Sequence, residues 1–170
     1  MMTQSVTERK ENWWRRWLVT PVVRQLTGGT SPTRIAWTIS LGIVLGVFPV
    51  MGTTTLICLF FGWVLNLNQP VLHVFRVFVY PLHLALILVF IRLGERLYGV
   101  PLISLSVPQL AGKFKTDPVQ FLSDFGLVAW HGVSAWLLIA PFAVILIKWA
   151  LMPLLRRLAE SIKKRKELGS

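Results

Sequence analysis

Apolar residues in this chain collect into a few long blocks, and the polar segments between them carry most of the charge. The first block, Ile35 to Leu65, is 31 residues long and is interrupted only at Pro49-Val50-Met51-Gly52. As one helix it would measure about 46 Å, well beyond the roughly 30 Å hydrocarbon core of a bilayer. Cut at Pro49, its pieces reach only about 21 Å and about 18 Å. These lengths favour a hairpin of two short helices, re-entrant with its tip inside a bilayer, over two full spans. Backbone of that kind survives only where protein or water covers it. A third helix is expected from Pro70 to Ile91, with Pro81 as a point of bending. The last span is expected at about Gly126 to Leu151, with Pro141 as a kink. Ahead of these, Asn12 to Gln25 sets Trp13, Trp17 and Val23 against Arg15, Arg16 and Arg24, the pattern of an amphipathic helix lying in an interface. Gly28-Gly29 ends it, and Ser31-Pro32 supplies an N-cap and a first-turn proline for the next helix. Residues 1 to 11 are expected to lack fixed structure. Residues 92 to 125 are more polar, with Pro101, Pro108 and Pro118 and an amphipathic stretch near Val119 to Phe125.

This pattern predicts an all-α, polytopic integral membrane protein whose distinctive element is the Pro/Gly-broken hairpin. Residues 1–30 form a cytoplasmic or interfacial arm, 31–152 the membrane domain and 153–170 a basic cytoplasmic tail. Composition agrees: 54% of the 170 residues are hydrophobic, and the mean hydropathy is +0.62. Trp13, Trp14, Trp17, Trp37 and Trp149 fall near the expected water–membrane boundaries, where indole rings favour the headgroup zone. The net charge of +11 resides in basic residues that flank the apolar blocks. Attraction to anionic lipid explains that placement, and nucleic acid is not expected as a partner. Basic residues at both ends, from Arg9 to Arg34 and from Arg156 to Lys166, place both ends in the cytoplasm. Arg92, Arg96, Lys113 and Lys115 in the far loop run against this assignment, offset in part by Glu95, Asp117 and Asp124. The single cysteine, Cys58, rules out an intrachain disulfide.

Between Asn12 and Gly94 there is no acidic residue, yet Arg76 lies within the apolar stretch Pro70 to Ile91. A guanidinium in hydrocarbon costs at least a few kcal/mol unless it meets a partner or a wet cavity. No acid close in sequence neutralises it. Backbone carbonyls, a distant Glu95 or Asp124, another chain or an anionic lipid phosphate remain. On a continuous helix, His73, Arg76, Tyr80 and His83 share an arc of about 80°, the face expected to line a pathway. The alternative reading lets Arg76 and His73 snorkel to a nearby membrane boundary. Gly52-Thr53-Thr54-Thr55 opens the second half of the broken helix. A helix N-terminus there, beside a glycine, would receive an anion; as an ordinary turn, its threonines would only cap backbone. Thr38, Gly42 and Gly46 form a small-residue face suited to close helix packing. His131 and Lys148 are read as end-of-span residues. No metal-binding cluster, cofactor motif or soluble-enzyme motif is present, so an enzyme is not expected and no metal or cofactor is assigned.

The residues Ser31-Pro32, Ile35-Ala36, Gly42, Gly46, Phe48-Pro49, Gly52, Thr54 and Asn68 resemble a bacterial membrane family known as domain of unknown function 2062, over about residues 30 to 150. The family's later Asn-Pro stands here as Tyr80-Pro81, a departure that removes any role carried by that asparagine. The resemblance implies a small, multi-pass inner-membrane protein; related domains joined to glycosyltransferases imply a link to lipid-linked sugars. The expected function is therefore binding or translocation of an anionic, phosphate-bearing lipid or lipid-linked glycan in envelope biogenesis. Gly52 to Thr55 and Arg76 would hold the head group, and His73, Tyr80 and His83 would line its path. The alternative is a non-transporting anchor or partner subunit of an envelope-synthesis enzyme. A membrane-protein partner or a homo-oligomer stays open in either case.

Overall fold

The structure, a computed structural model, describes residues 19–50, 52–100 and 118–168. Those residues are all helical or in turns, with no strand among them. Six helices follow in order: α1 (Thr20–Thr27), α2 (Pro32–Gly46), α3 (Thr54–Val64), α4 (Gln69–Phe78), α5 (Tyr80–Tyr98) and α6 (Pro118–Leu168). The expected unstructured arm, the first half of the amphipathic helix, Met51 and the loop carrying Pro101 and Pro108 lie outside the described residues.

Local chemistry sets most helix boundaries. Gly28 caps α1, and Gly29 takes φ +88, a conformation costly for residues with a Cβ. The Ser31 hydroxyl accepts the Arg34 N–H at 3.3 Å, with Pro32 at the first position of α2. Asn68 plays the same part for α4, accepting from Val71 N–H at 3.0 Å. The helix expected to stop at Ile91 runs on to Tyr98 and ends at Gly99, which takes φ +63. Its apolar pattern fades before its helical conformation does, because Arg92, Glu95 and Arg96 continue a helix readily without continuing the apolar face.

The block from Ile35 to Leu65 is a true hairpin. The Arg34 guanidinium at the start of α2 donates to the Asn66 carbonyl just beyond α3, so the two ends return to one place. At 15 and 11 residues, α2 and α3 are about 22 Å and about 16 Å long. The next pair, α4 and α5, is bent by 69° at Val79. The basic segment from Arg156 to Lys166 continues α6, which carries Pro141 and Pro153 within one 51-residue helix.

α6 packs along α5 and α2, while α4 lies against α2 on its other side. One core gathers Val44, Leu45, Cys58, Leu72, Phe90, Trp136 and Val144; a second joins Val22, Ile35, Val71 and Leu155. α6 has the length and composition of a membrane span over Phe125–Lys164. Only 11% of its most apolar 18-residue window is buried inside the chain. A soluble core helix would be covered, whereas this one turns Phe142, Leu146 and Trp149 outward.

Candidate functional site

The centre of the molecule is the place where the two helix breaks meet. A β-carbon on Gly46, the last residue of α2, would stand 2.7 Å from Val79 Cγ2 and 3.1 Å from Arg76 Cα. Gly42, one turn earlier, faces the Leu72 carbonyl of α4 in the same way, at 2.7 Å. Close approach along this small-residue face sets the broken end of α2 directly on the bend between α4 and α5. Thr38 belongs to the same helix but turns its hydroxyl to the Arg34 carbonyl, at 2.9 Å.

A helix that ends inside a protein leaves its last carbonyls without intrahelical partners. Here side chains from two other helices supply donors. His83 of α5, 2% exposed, donates from Nδ1 to the Gly46 carbonyl at 2.7 Å. Trp136 of α6 donates from Nε1 to the Val44 carbonyl at 3.2 Å. Phe48 N–H returns to the Leu45 carbonyl at 3.2 Å. Because a carbonyl only accepts, neutral His83 carries its proton on Nδ1 and its lone pair on Nε2. Phe48 meets the Trp136 ring edge-on at 5.0 Å, and Gly132 of α6 lies against Pro49. The break is thus covered by α6.

Arg76 sits at this junction. Its stem runs against Gly46, and its Nε is buried with no hydrogen-bond partner. Among the described residues no carboxylate pairs with it. What compensates the cation is backbone: it occupies the last turn of α4 and abuts the last residue of α2. Two helix C-termini, each with partial negative charge, therefore converge on it.

The other sequence-derived residues divide. Tyr80 is half-exposed and stacks on His83, with ring centroids 6.0 Å apart and planes 4° from parallel. The bend at Val79 separates His73 and Arg76 from Tyr80 and His83, so the four do not form one straight stripe. Gly52 takes φ +85 and is open on all sides; Thr53 returns its hydroxyl to the Val50 carbonyl at 3.0 Å, Thr54 is buried and Thr55 is exposed. At the α2 end of the break, Arg76 lies against Gly46.

Trp136 and Gly94 carry structural roles that the sequence reading passed over. Trp136 sits inside an apolar run and looks like any span tryptophan; its partner lies 92 residues away. At Gly94 a β-carbon would stand 2.0 Å from the His131 carbonyl, so α5 and α6 cross almost backbone to backbone. Tyr98 closes that crossing by packing on the His131 ring at 4.9 Å and donating to the Ser134 hydroxyl at 3.0 Å.

Among the described residues, an all-helical fold with one span-length apolar helix, and with two broken helices abutting around a buried arginine nitrogen, defines the structural class. Residues 15–164 match the family described as "Uncharacterized protein conserved in bacteria (DUF2062)", and the chain belongs to that family. No curated protein and no solved structure matches it.

Proposed function

We propose that this protein is a multi-pass component of the bacterial inner membrane that binds, and passes across the bilayer, an anionic phosphate-bearing lipid or lipid-linked glycan. The observation that carries the reading is the Arg76 Nε, buried without a partner where the two breaks meet. A guanidinium inside a membrane domain is expensive unless it meets charge, and two helix C-termini offset that cost only in part. A phosphate, gripped through two oxygens at once, completes the compensation. Discontinuous helices elsewhere hold ligands at such breaks for the same reason: freed backbone groups and helix ends face one another at depth.

The membrane part of the proposal has separate support. Trp130 and Trp149 are both exposed on α6 and lie 19 residues apart, about 28 Å along a helix, close to the hydrocarbon thickness. Leu56, Phe60 and Trp63 on α3 and Leu88 on α5 also face outward. In this arrangement the α2–α3 hairpin is re-entrant, α4 and α5 together cross once and α6 returns. The two ends then share the cytoplasmic side that their basic residues favour.

The test is calorimetric titration of the detergent-solubilised protein with a short polyprenyl phosphate and with the matching alcohol. Arg76→Gln should weaken phosphate-ligand binding by about tenfold or more, Arg76→Lys by less, and neither should change the weak binding of the alcohol. Equal affinity of wild type and Arg76→Gln for the phosphate would overturn the proposal. It would leave the anchor or partner-subunit role as the better account.

A further inference from the structure

Away from the junction, α2 and α6 meet through a cation and an aromatic ring: Lys148 Nζ lies 4.1 Å from the centroid of Trp37. Trp37 lines an open cleft of about 420 Å³ between α2 and the turn that follows α3. Ser31, Thr33 and Arg34 line it together with Leu65 and Leu67, which flank the Asn66 that Arg34 bonds, and Leu41 lies one turn beyond Trp37 along α2. Lys148 also lines an adjoining groove of about 560 Å³ on α6, together with Ile145, Trp149 and Arg156. No acidic residue lines either hollow, and no ion pair engages Lys148 or Arg156 among the described residues.

We infer that these two hollows, linked by the contact of Lys148 with Trp37, are a binding site for one anionic diacyl phospholipid of the surrounding leaflet. The inference rests on the membrane reading above but concerns a different place from Arg76. Charge complementarity selects the occupant. Arg34 lies one turn from Trp37, and Lys148 over the ring, so two cations flank one indole at a bundle end rich in basic residues. Arg34 spends one N–H on the Asn66 carbonyl and keeps others for an incoming oxygen. The cation–π contact positions Lys148 without neutralising it. A phosphate would sit between these cations, with one acyl chain following Trp37 to Leu41 and the second following Trp149 to Ile145. Trp149 lies at the boundary defined by its spacing from Trp130, which sets Lys148 at headgroup depth.

The experiment is native mass spectrometry of the full chain released from nanodiscs containing phosphatidylglycerol and phosphatidylcholine. Wild type should retain phosphatidylglycerol preferentially, and excess soluble glycerol phosphate should not displace it. Lys148→Gln should cut that preference by about fivefold, the worth of one basic residue at an anionic surface, while Lys148→Arg keeps it. Arg34→Gln should act in the same direction. The drop caused by Lys148→Gln should be the same in an Arg76→Gln background, which separates this site from the junction. An unchanged preference in Lys148→Gln, or equal loss of both lipids in Lys148→Gln and Lys148→Arg, would overturn the inference. A wild-type protein that stays in aqueous solution without detergent would instead remove the membrane reading on which it rests.

Discussion

His83 and Trp136 decide whether the end of α2 is tolerated where it lies, because each feeds a carbonyl that no helical N–H reaches. Removing a donor while the acceptor stays buried costs about 1–3 kcal/mol. His83→Ala should therefore lower the thermal unfolding midpoint in detergent distinctly. Trp136→Phe, which keeps an aromatic ring against Phe48, should lower it less. A midpoint unmoved by His83→Ala would show that the Gly46 carbonyl finds another donor. Glycines supply a contrast of sign. Gly94→Ala would drive a methyl onto the His131 carbonyl and should destabilise by at least the ~1–3 kcal/mol typical of overpacking. Gly126, in the same helix as His131 but open within 4 Å, should gain roughly 0.5–1 kcal/mol as alanine. Both are read from unfolding midpoints, and a destabilised Gly126→Ala would mean that its apparent open space is occupied. Arg76 stands apart from these residues. It fills no packing role that glutamine could not approximate, so Arg76→Gln should fold normally.

At the scale of elements, the hairpin has one native reporter, the fully buried Cys58 of α3. In the folded protein this thiol should resist maleimide and react only as unfolding exposes it; prompt native labelling would show that α3 does not pack as described. Much of this element was legible in the sequence. Pro49 and Gly52 interrupt an apolar block too long for one span, Ser31-Pro32 marks the start of α2, and each is where the structure puts it. The bend near Pro81 was legible for the same reason, since proline removes a helical N–H. What the sequence could not reveal is which elements the breaks face. The contacts of Gly46 with Arg76 and of Trp136 with Val44 join residues 30 and 92 positions apart, beyond any local periodicity. For the same reason a single-helix projection placed His73, Arg76, Tyr80 and His83 on one stripe, although the 69° bend divides them. The extent of α6 escaped too, because charge marks the end of an apolar span without marking the end of a helix.

For the whole molecule, the proposed topology, a re-entrant hairpin followed by one bent crossing and one returning helix, requires both ends on one side. In a Cys58→Ser background, single cysteines at Thr27 and Lys164 should both be labelled by a membrane-impermeant reagent from the cytoplasmic face alone. Labelling from opposite faces would exclude this path of the chain. The helices hold two junctions: one where the breaks of α2–α3 and α4–α5 abut around Arg76, and one around Trp37 and Lys148, which the proposed topology sets at the interface. Only the first has a cation nitrogen sealed from solvent without a partner, and the functional proposal stands on it. The most direct measurement is the phosphorus–nitrogen dipolar coupling by solid-state NMR, with arginine ¹⁵N-labelled in membranes containing the polyprenyl phosphate. The expected result is a guanidinium signal at direct-contact distance from the monoester phosphorus of the polyprenyl phosphate, distinct from the phospholipid diester, that disappears in Arg76→Gln and persists in Lys148→Gln. A phosphorus coupling indifferent to Arg76→Gln, or none at all, would contradict the assignment of Arg76 to a phosphate-bearing lipid.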